Sequence, residues 1–210
     1  MNKETIIQKE EKLMARTYAR HPLVITRGDG CTVWDSEGRS YTDFVAGIAV
    51  CNLGHGNQRI ADTIYSQAKR LIHVSNLYYT EPQILLGEWL IGESFADRVF
   101  FCNSGAEANE AAIKLARKFF KDRGEPERFK IITMEGSFHG RTMATLSATG
   151  QDKVRKGFDP LLEGFEFVPF NNIEAITNIV SDKTCAIMLE PIQGEGGVRC
   201  ASESYLKAIR

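Results

Sequence analysis

Asn103-Ser104-Gly105-Ala106-Glu107-Ala108-Asn109-Glu110 is the stretch that decides how this chain folds. On its amino side lies a short apolar run, Arg98–Cys102, of strand length. On its carboxyl side Ala108, Ala112, Leu115, Ala116 and Phe119 recur at helical spacing and mark an amphipathic helix. The stretch therefore reads as a strand-to-helix turn. Ser104 and Glu107 have capping-box spacing, in which a hydroxyl and a carboxylate satisfy first-turn N–H groups. The remaining free N–H groups, with the positive end of the helix dipole, form an anion site. Gly105 has no side chain to keep a phosphate off the backbone. Taken alone, the same residues also describe an ordinary capped helix. Their place at the carboxyl end of a strand, where open α/β sheets bind ligands, favours the anion site.

Working outward, Lys130–Met134 reads as a second core strand, Ile173–Val180 as a helix and Cys185–Leu189 as a third strand. Strands alternating with helices predict an α/β fold with a mostly parallel sheet. Ser202 caps a last helix with Tyr205, Leu206 and Ile209 on one side. Towards the amino terminus, Pro82 suits the first turn of a helix reaching about Ile91. Ile60, Ile64, Ala68, Leu71 and Ile72 have helical spacing, and Lys3–Tyr18 reads as a helix with apolar Ile6, Ile7, Leu13 and Met14. Between these lie three short runs, Leu23–Thr26, Thr32–Trp34 and Tyr41–Val45. Gly28-Asp29-Gly30 and Asp35-Ser36-Glu37-Gly38 break them into a small antiparallel meander. The texture changes near Val50, which divides the chain into residues 1–50, part of a smaller domain, and 51–210, the start of a larger α/β domain.

The composition, 43% hydrophobic and 25% charged over 210 residues, suits a globular protein with a buried core. A formal charge of −1, with Lys and Arg scattered, offers no surface for nucleic acid. The charged first twenty residues hold no apolar run, so neither a signal peptide nor a membrane span is expected. Five cysteines without CxxC spacing suggest neither a metal site nor a disulfide framework, and point to free thiols in a reducing cytoplasm.

Two further segments carry chemistry. Ser137-Phe138-His139-Gly140-Arg141-Thr142 follows the second strand. Phe138 can stack on a flat cofactor, and Arg141 offers a bidentate fork to a carboxylate. Taken singly, the plainer readings are favoured: Phe138 as a packing residue, Arg141 as a surface ion-pair partner and His139 as a structural histidine. Glu190-Pro191 ends the third strand, where a carboxylate tunes a heteroaromatic ring or pairs with a cation. Gly194, Gly196 and Gly197, with Glu195, mark a loop of unusual dihedrals or a tight turn. Neither GxGxxG nor GxxxxGK[ST] is present, so a nucleotide fold is not supported.

Four segments in order, Asp43-Phe44 with Gly47-Ile48-Ala49-Val50 and Leu53-Gly54-His55, then Asn103–Glu110, Ser137–Thr142 and Glu190–Val198, resemble the class III pyridoxal-phosphate (PLP) aminotransferases of fold type I. The likeness runs from about Tyr18 to Arg210, roughly the first half of a family member, and is nearest to members acting on N-acetylornithine. It implies a PLP-transferase fold, here incomplete, and exchange of an amino group between N-acetylornithine and 2-oxoglutarate or glutamate, in arginine biosynthesis, by a homodimer. It implies that Ser104, Gly105 and Ala106 bind the PLP phosphate, that Phe138 stacks on its ring and that Glu190 lines its pocket. Arg141 and Tyr18 are implied to hold the substrate α-carboxylate, and Glu195 to pair with a later Arg and swing aside as substrates alternate. Ser75-Asn76 resembles a segment near a subunit interface.

The Schiff-base lysine and the Asp that pairs with the pyridinium nitrogen are expected beyond Arg210, so no catalytic residue is assigned here and these residues alone are not expected to catalyse. Lys114, Lys118, Lys121 and Lys207 read as solvated surface. Ile48 stands where ornithine-specific members tend to carry Tyr, and Tyr18 with Arg141 argues against 4-aminobutyrate. Ornithine, succinylornithine or another ω-amine remains an alternative, as does a short non-catalytic protein that binds PLP or pairs with a longer subunit.

Overall fold

The computed structural model describes residues 1–210, which form two compact units, Met1–Glu81 and Pro82–Arg210. This break follows packing, whereas the change near Val50 follows sequence texture.

The first unit opens with α1 (Lys3–Leu13), capped by Asn2, whose side chain accepts from the Thr5 amide. The helix stops at Leu13 rather than continuing to Tyr18. It buries no residue, so nothing but local propensity supports another turn. The meander follows as β1 (Ile25–Asp29), β2 (Thr32–Asp35) and β3 (Ser40–Thr42), all antiparallel. Asp35 organises its second turn. Its Oδ1 accepts from the amides of Glu37 and Arg39, and its Oδ2 from Arg39 Nε and the Tyr41 hydroxyl, both at 2.8 Å. Burial opposes its charge, but these four donors outweigh burial and hold its pKa down to about 2. The third strand ends at Thr42 rather than Val45, because Asp43 turns the chain by accepting from the Val45 and Ala46 amides. Asp43 Oδ2 also meets His55 Nε2 at 2.7 Å. The single turn that follows, α2 (Ala46–Ala49), has positive φ at all four residues. α3 (Gln58–Arg70) and a 3-10 turn (Ser75–Leu77) complete the unit. Asp35 is its only buried residue, while Phe44 and Tyr79 are almost wholly exposed.

The second unit takes α4 (Glu81–Gly92) from its second residue onward, and α4 and α5 (Gly105–Asp122) precede β4 (Lys130–Met134). Arg98–Cys102, expected as a strand, pairs with nothing in this chain. No strand of the parallel sheet lies alongside this run, and apolar composition alone forms no ladder. α6 (Met143–Ala148), α7 (Asp152–Arg155), β5 (Phe165–Val168), α8 (Ile173–Ile179) and β6 (Thr184–Ile187) follow. The hairpin β7 (Ile192–Gln193) and β8 (Arg199–Cys200) leads to α9 (Glu203–Ile209), which Ser202 caps as expected. The sheet is parallel with order β5-β4-β6. Ile131–Met134 are all buried because helices cover both faces of the central strand. Alternation sends Ile132 and Met134 into a cluster with Val168, Phe170, Ile176 and Tyr205, and Ile131 into another with Ile113 and Ala148. No helix is long and apolar enough to cross a membrane.

Candidate functional site

Three segments converge at the carboxyl ends of β4 and β6. The first is the start of α5. Ser104 has extended backbone, and its Oγ accepts from the Glu107 amide at 3.2 Å. The other half of the capping box is displaced by one residue, since the Glu107 carboxylate accepts from the Asn103 amide. The amides of Gly105 and Ala106 donate to no group of the chain. Apart from its chain neighbours and the backbone of its own helix, no atom lies within 4 Å of where a Gly105 side chain would stand. Unpaired donors, a helix dipole and open space are together what a phosphate requires.

The second segment is the loop after β4. His139 bonds through its carbonyl to Asn109 Nδ2 of α5 at 2.8 Å. Gly140, at φ +132°, packs so closely that a Cβ there would lie 2.9 Å from Ala106 Cβ. These two contacts bring Phe138–Thr142 against the first turn of α5. Thr142 then caps α6, its hydroxyl also donating to Glu110 of α5. Phe138 is half-buried and Arg141 is exposed.

The third segment leaves β6. Glu190 Oε2 accepts from the Phe138 amide at 3.0 Å, across 52 residues of sequence. Burial raises the Glu190 pKa, the Phe138 N–H partly offsets this, and the nearby charge of Glu195 raises it further. Glu195 itself is exposed. Gln193, wholly buried, donates through Nε2 to the Glu135 carbonyl at 3.0 Å and so clasps this loop to the end of β4.

The structure thus gathers Ser104, Gly105, Ala106, Phe138 and Glu190, with Arg141 and Glu195 on the adjoining loops. Tyr18 belongs to the first unit, where it lines a groove of about 530 Å³ beside α1. Its implied substrate role rests on the resemblance alone. Lys118 and Lys207 form exposed ion pairs with Asp122 and Glu203, and Lys114 and Lys121 are exposed, as expected of surface residues. Sequence reasoning missed Asn109, Gly140 and Gln193 as the residues that lock the loops together. Gly140 inside an otherwise side-chain-rich segment was the one available signal.

The family model for class III aminotransferases matches residues 13–210. The chain belongs to the class III aminotransferases. This family is PLP-dependent, and the fold is that of fold type I. The chain is 54% identical over 205 residues to the acetylornithine aminotransferase of Caldanaerobacter subterraneus subsp. tengcongensis, covering 98% of this chain and 52% of that protein. It is 50% identical over 210 residues to that of Methanocaldococcus jannaschii, covering 100% of this chain and 53% of the relative. Among solved structures, ornithine aminotransferase from Toxoplasma gondii superposes with a TM-score of 0.93 at 31% identity, covering 100% of this chain and 50% of that one. N-acetylornithine aminotransferase from Stenotrophomonas maltophilia gives 0.77 at 40% identity, covering 97% and 49%. The class III chain therefore spans about half the length of the curated relatives it matches.

The residues present fit the family's cofactor. The α5 amides suit the phosphate, Phe138 offers a half-buried aromatic face, and Glu190 supplies a carboxylate of raised pKa beside it. No cluster of His, Cys, Asp or Glu is arranged to hold a metal ion.

Proposed function

We propose that this class III aminotransferase chain serves the PLP-dependent transfer of the distal amino group of N-acetylornithine to 2-oxoglutarate, a step of arginine biosynthesis. The observation that carries the cofactor reading is the Glu190–Phe138 bond, which joins two motifs 52 residues apart beside the free N–H groups of α5. The substrate reading is supported by the names of the curated relatives and by Ile48, where ornithine-specific members tend to carry Tyr. When bound, PLP supplies an electron sink for the carbon that bears the transferred amine.

The chain's residues do the binding and orienting. The Gly105 and Ala106 amides and the α5 dipole hold the phosphate, with Ser104 keeping the turn open by capping it. Phe138 would offer its aromatic face to the ring. Glu190, its Oε2 held by the Phe138 amide, would offer the cofactor a carboxylate of reduced acidity. Arg141 grips the substrate α-carboxylate bidentately, so that the distal amine is the one presented. Glu195 offers the opposite charge to the loop and discriminates between donor and acceptor. The assembly that works is a homodimer in the cytoplasm.

The protein expressed from its complete gene should form glutamate from N-acetylornithine and 2-oxoglutarate. Its kcat/KM should exceed that for ornithine by about tenfold or more, the size of a lost pocket contact. Equal use of both donors would move the reading to the ornithine class, and no PLP-dependent transfer from either would end it.

A further inference from the structure

His139 stands between the two residues that the function uses on this loop, yet it faces the interior and is only 4% exposed. A buried imidazole must place its N–H against an acceptor or carry the cost of leaving it bare. Its Nε2 lies 3.1 Å from Thr133 Oγ1, on the central strand β4. Thr133 has one hydroxyl proton, and its oxygen donates it to the Ala148 carbonyl at 3.0 Å. That oxygen can therefore only accept from the imidazole, which fixes the Nε2–H tautomer. A directed chain results, from imidazole N–H to threonine O–H to the carbonyl at the end of α6. Each link strengthens the next by polarisation. The carbonyl it reaches is one that the helix end leaves unpaired.

The backbone of His139 is held from two further sides. Its amide donates to Thr149 Oγ1 at 3.0 Å, and its carbonyl accepts from Asn109 of α5. Thr149 Oγ1 in turn donates to the Thr145 carbonyl, so the holding group is itself held. We infer that His139 is a positioning residue: anchored to Thr133, it sets the spacing between Phe138, Arg141 and the first turn of α5. Its ring is turned into the interior against Thr133 rather than towards the α5 turn, so the role assigned is to position and not to act as acid or base. Burial holds its pKa at about 4, in keeping with an imidazole used as a fixed neutral donor. This inference rests on the cofactor reading above.

The test compares Thr133→Val, which keeps the shape and removes both the acceptor for the imidazole and the donor to the Ala148 carbonyl, with Thr133→Ser, which keeps the hydroxyl. His139→Phe, which fills the space without an N–H, is the independent second variant. Thr133→Cys weakens the acceptor more gently and covers a Thr133→Val protein that does not fold. Each is expressed from the complete gene and titrated with PLP by absorbance. Circular dichroism of the cofactor band, per bound PLP, reports the ring's orientation, and the melting temperature of the apo form reports stability. Thr133→Val and His139→Phe should each raise the Kd for PLP about tenfold or more and diminish the dichroism per bound PLP. Thr133→Ser should stay within about twofold of wild type on both, with Thr133→Cys between. Wild-type Kd and dichroism in Thr133→Val or His139→Phe, whatever the melting temperature, would overturn the inference and leave the cofactor reading standing. A wild-type protein that binds no PLP would sink the cofactor reading itself.

Discussion

Gly140→Ala is the sharpest perturbation this structure offers. A methyl group built on Gly140 would lie 2.6 Å from Thr145 Oγ1, 2.9 Å from Ala106 Cβ and 3.0 Å from Thr145 Cβ. Ordinary carbon–carbon contact begins near ~3.5 Å. Neither neighbour can withdraw. Ala106 has no side-chain torsion, and Thr145 is wholly buried, its Oγ1 accepting from the Thr142 amide at 3.1 Å. The loop would therefore have to move off α5. Overpacking of this kind costs about 1–3 kcal/mol. The φ of +132° lies where a side chain is strained by a further ~1–3 kcal/mol. The expected loss is about 2–6 kcal/mol, a large fraction of a typical domain's stability. Urea unfolding followed by circular dichroism measures it, and PLP titration should show the affinity falling in parallel. A double-mutant cycle with Ala106→Gly should give a coupling of about 1 kcal/mol or more, since one of the clashes is with that methyl. A loss below about 1 kcal/mol, or no coupling, would refute the close approach on which the site's geometry depends.

Three further outcomes follow from single groups. Because burial lowers the His139 pKa from 6.5 to about 4, the unfolded chain takes up a proton there before the folded one does. Its contribution is complete above about pH 6.5 and is lost as pH falls towards 4, reaching about 2 kcal/mol by pH 5. His139→Phe should lack that component in unfolding curves at pH 7 and 5, and equal acid losses in both proteins would assign it elsewhere. Ser104→Ala removes the 3.2 Å cap of α5 and should cost about 1 kcal/mol in thermal unfolding, with weaker PLP binding. Unchanged PLP affinity would separate the cap from the phosphate site. Arg141→Ala should raise the KM for N-acetylornithine by about tenfold or more in the complete enzyme, the size expected of a lost bidentate contact. Unchanged kinetics would remove Arg141 from the carboxylate role.

Local order was legible wherever the signal was local. The α5 turn, the last helix at Ser202, the meander and the strands about Ile131 and Ala186 follow from capping spacing, turn residues and apolar runs, whose partners lie within a few residues. The resemblance to class III aminotransferases was carried by side-chain order, which needs no coordinates. Where pairing or support came from far along the chain, the letters were silent or misleading. Arg98–Cys102 has a strand's composition and no ladder, and residues 14–18 have helical composition but do not continue α1. The Glu190–Phe138 bond, the Gly140–Ala106 approach, the Asn109 tether and the Thr133–His139–Ala148 chain span separations that no periodicity encodes. The sequence by itself determined which residue types were available for a phosphate, a ring and a carboxylate. Only the tertiary structure decided which of them meet, because that depends on parallel strands β4 and β6 ending side by side and on a loop locked to the start of α5.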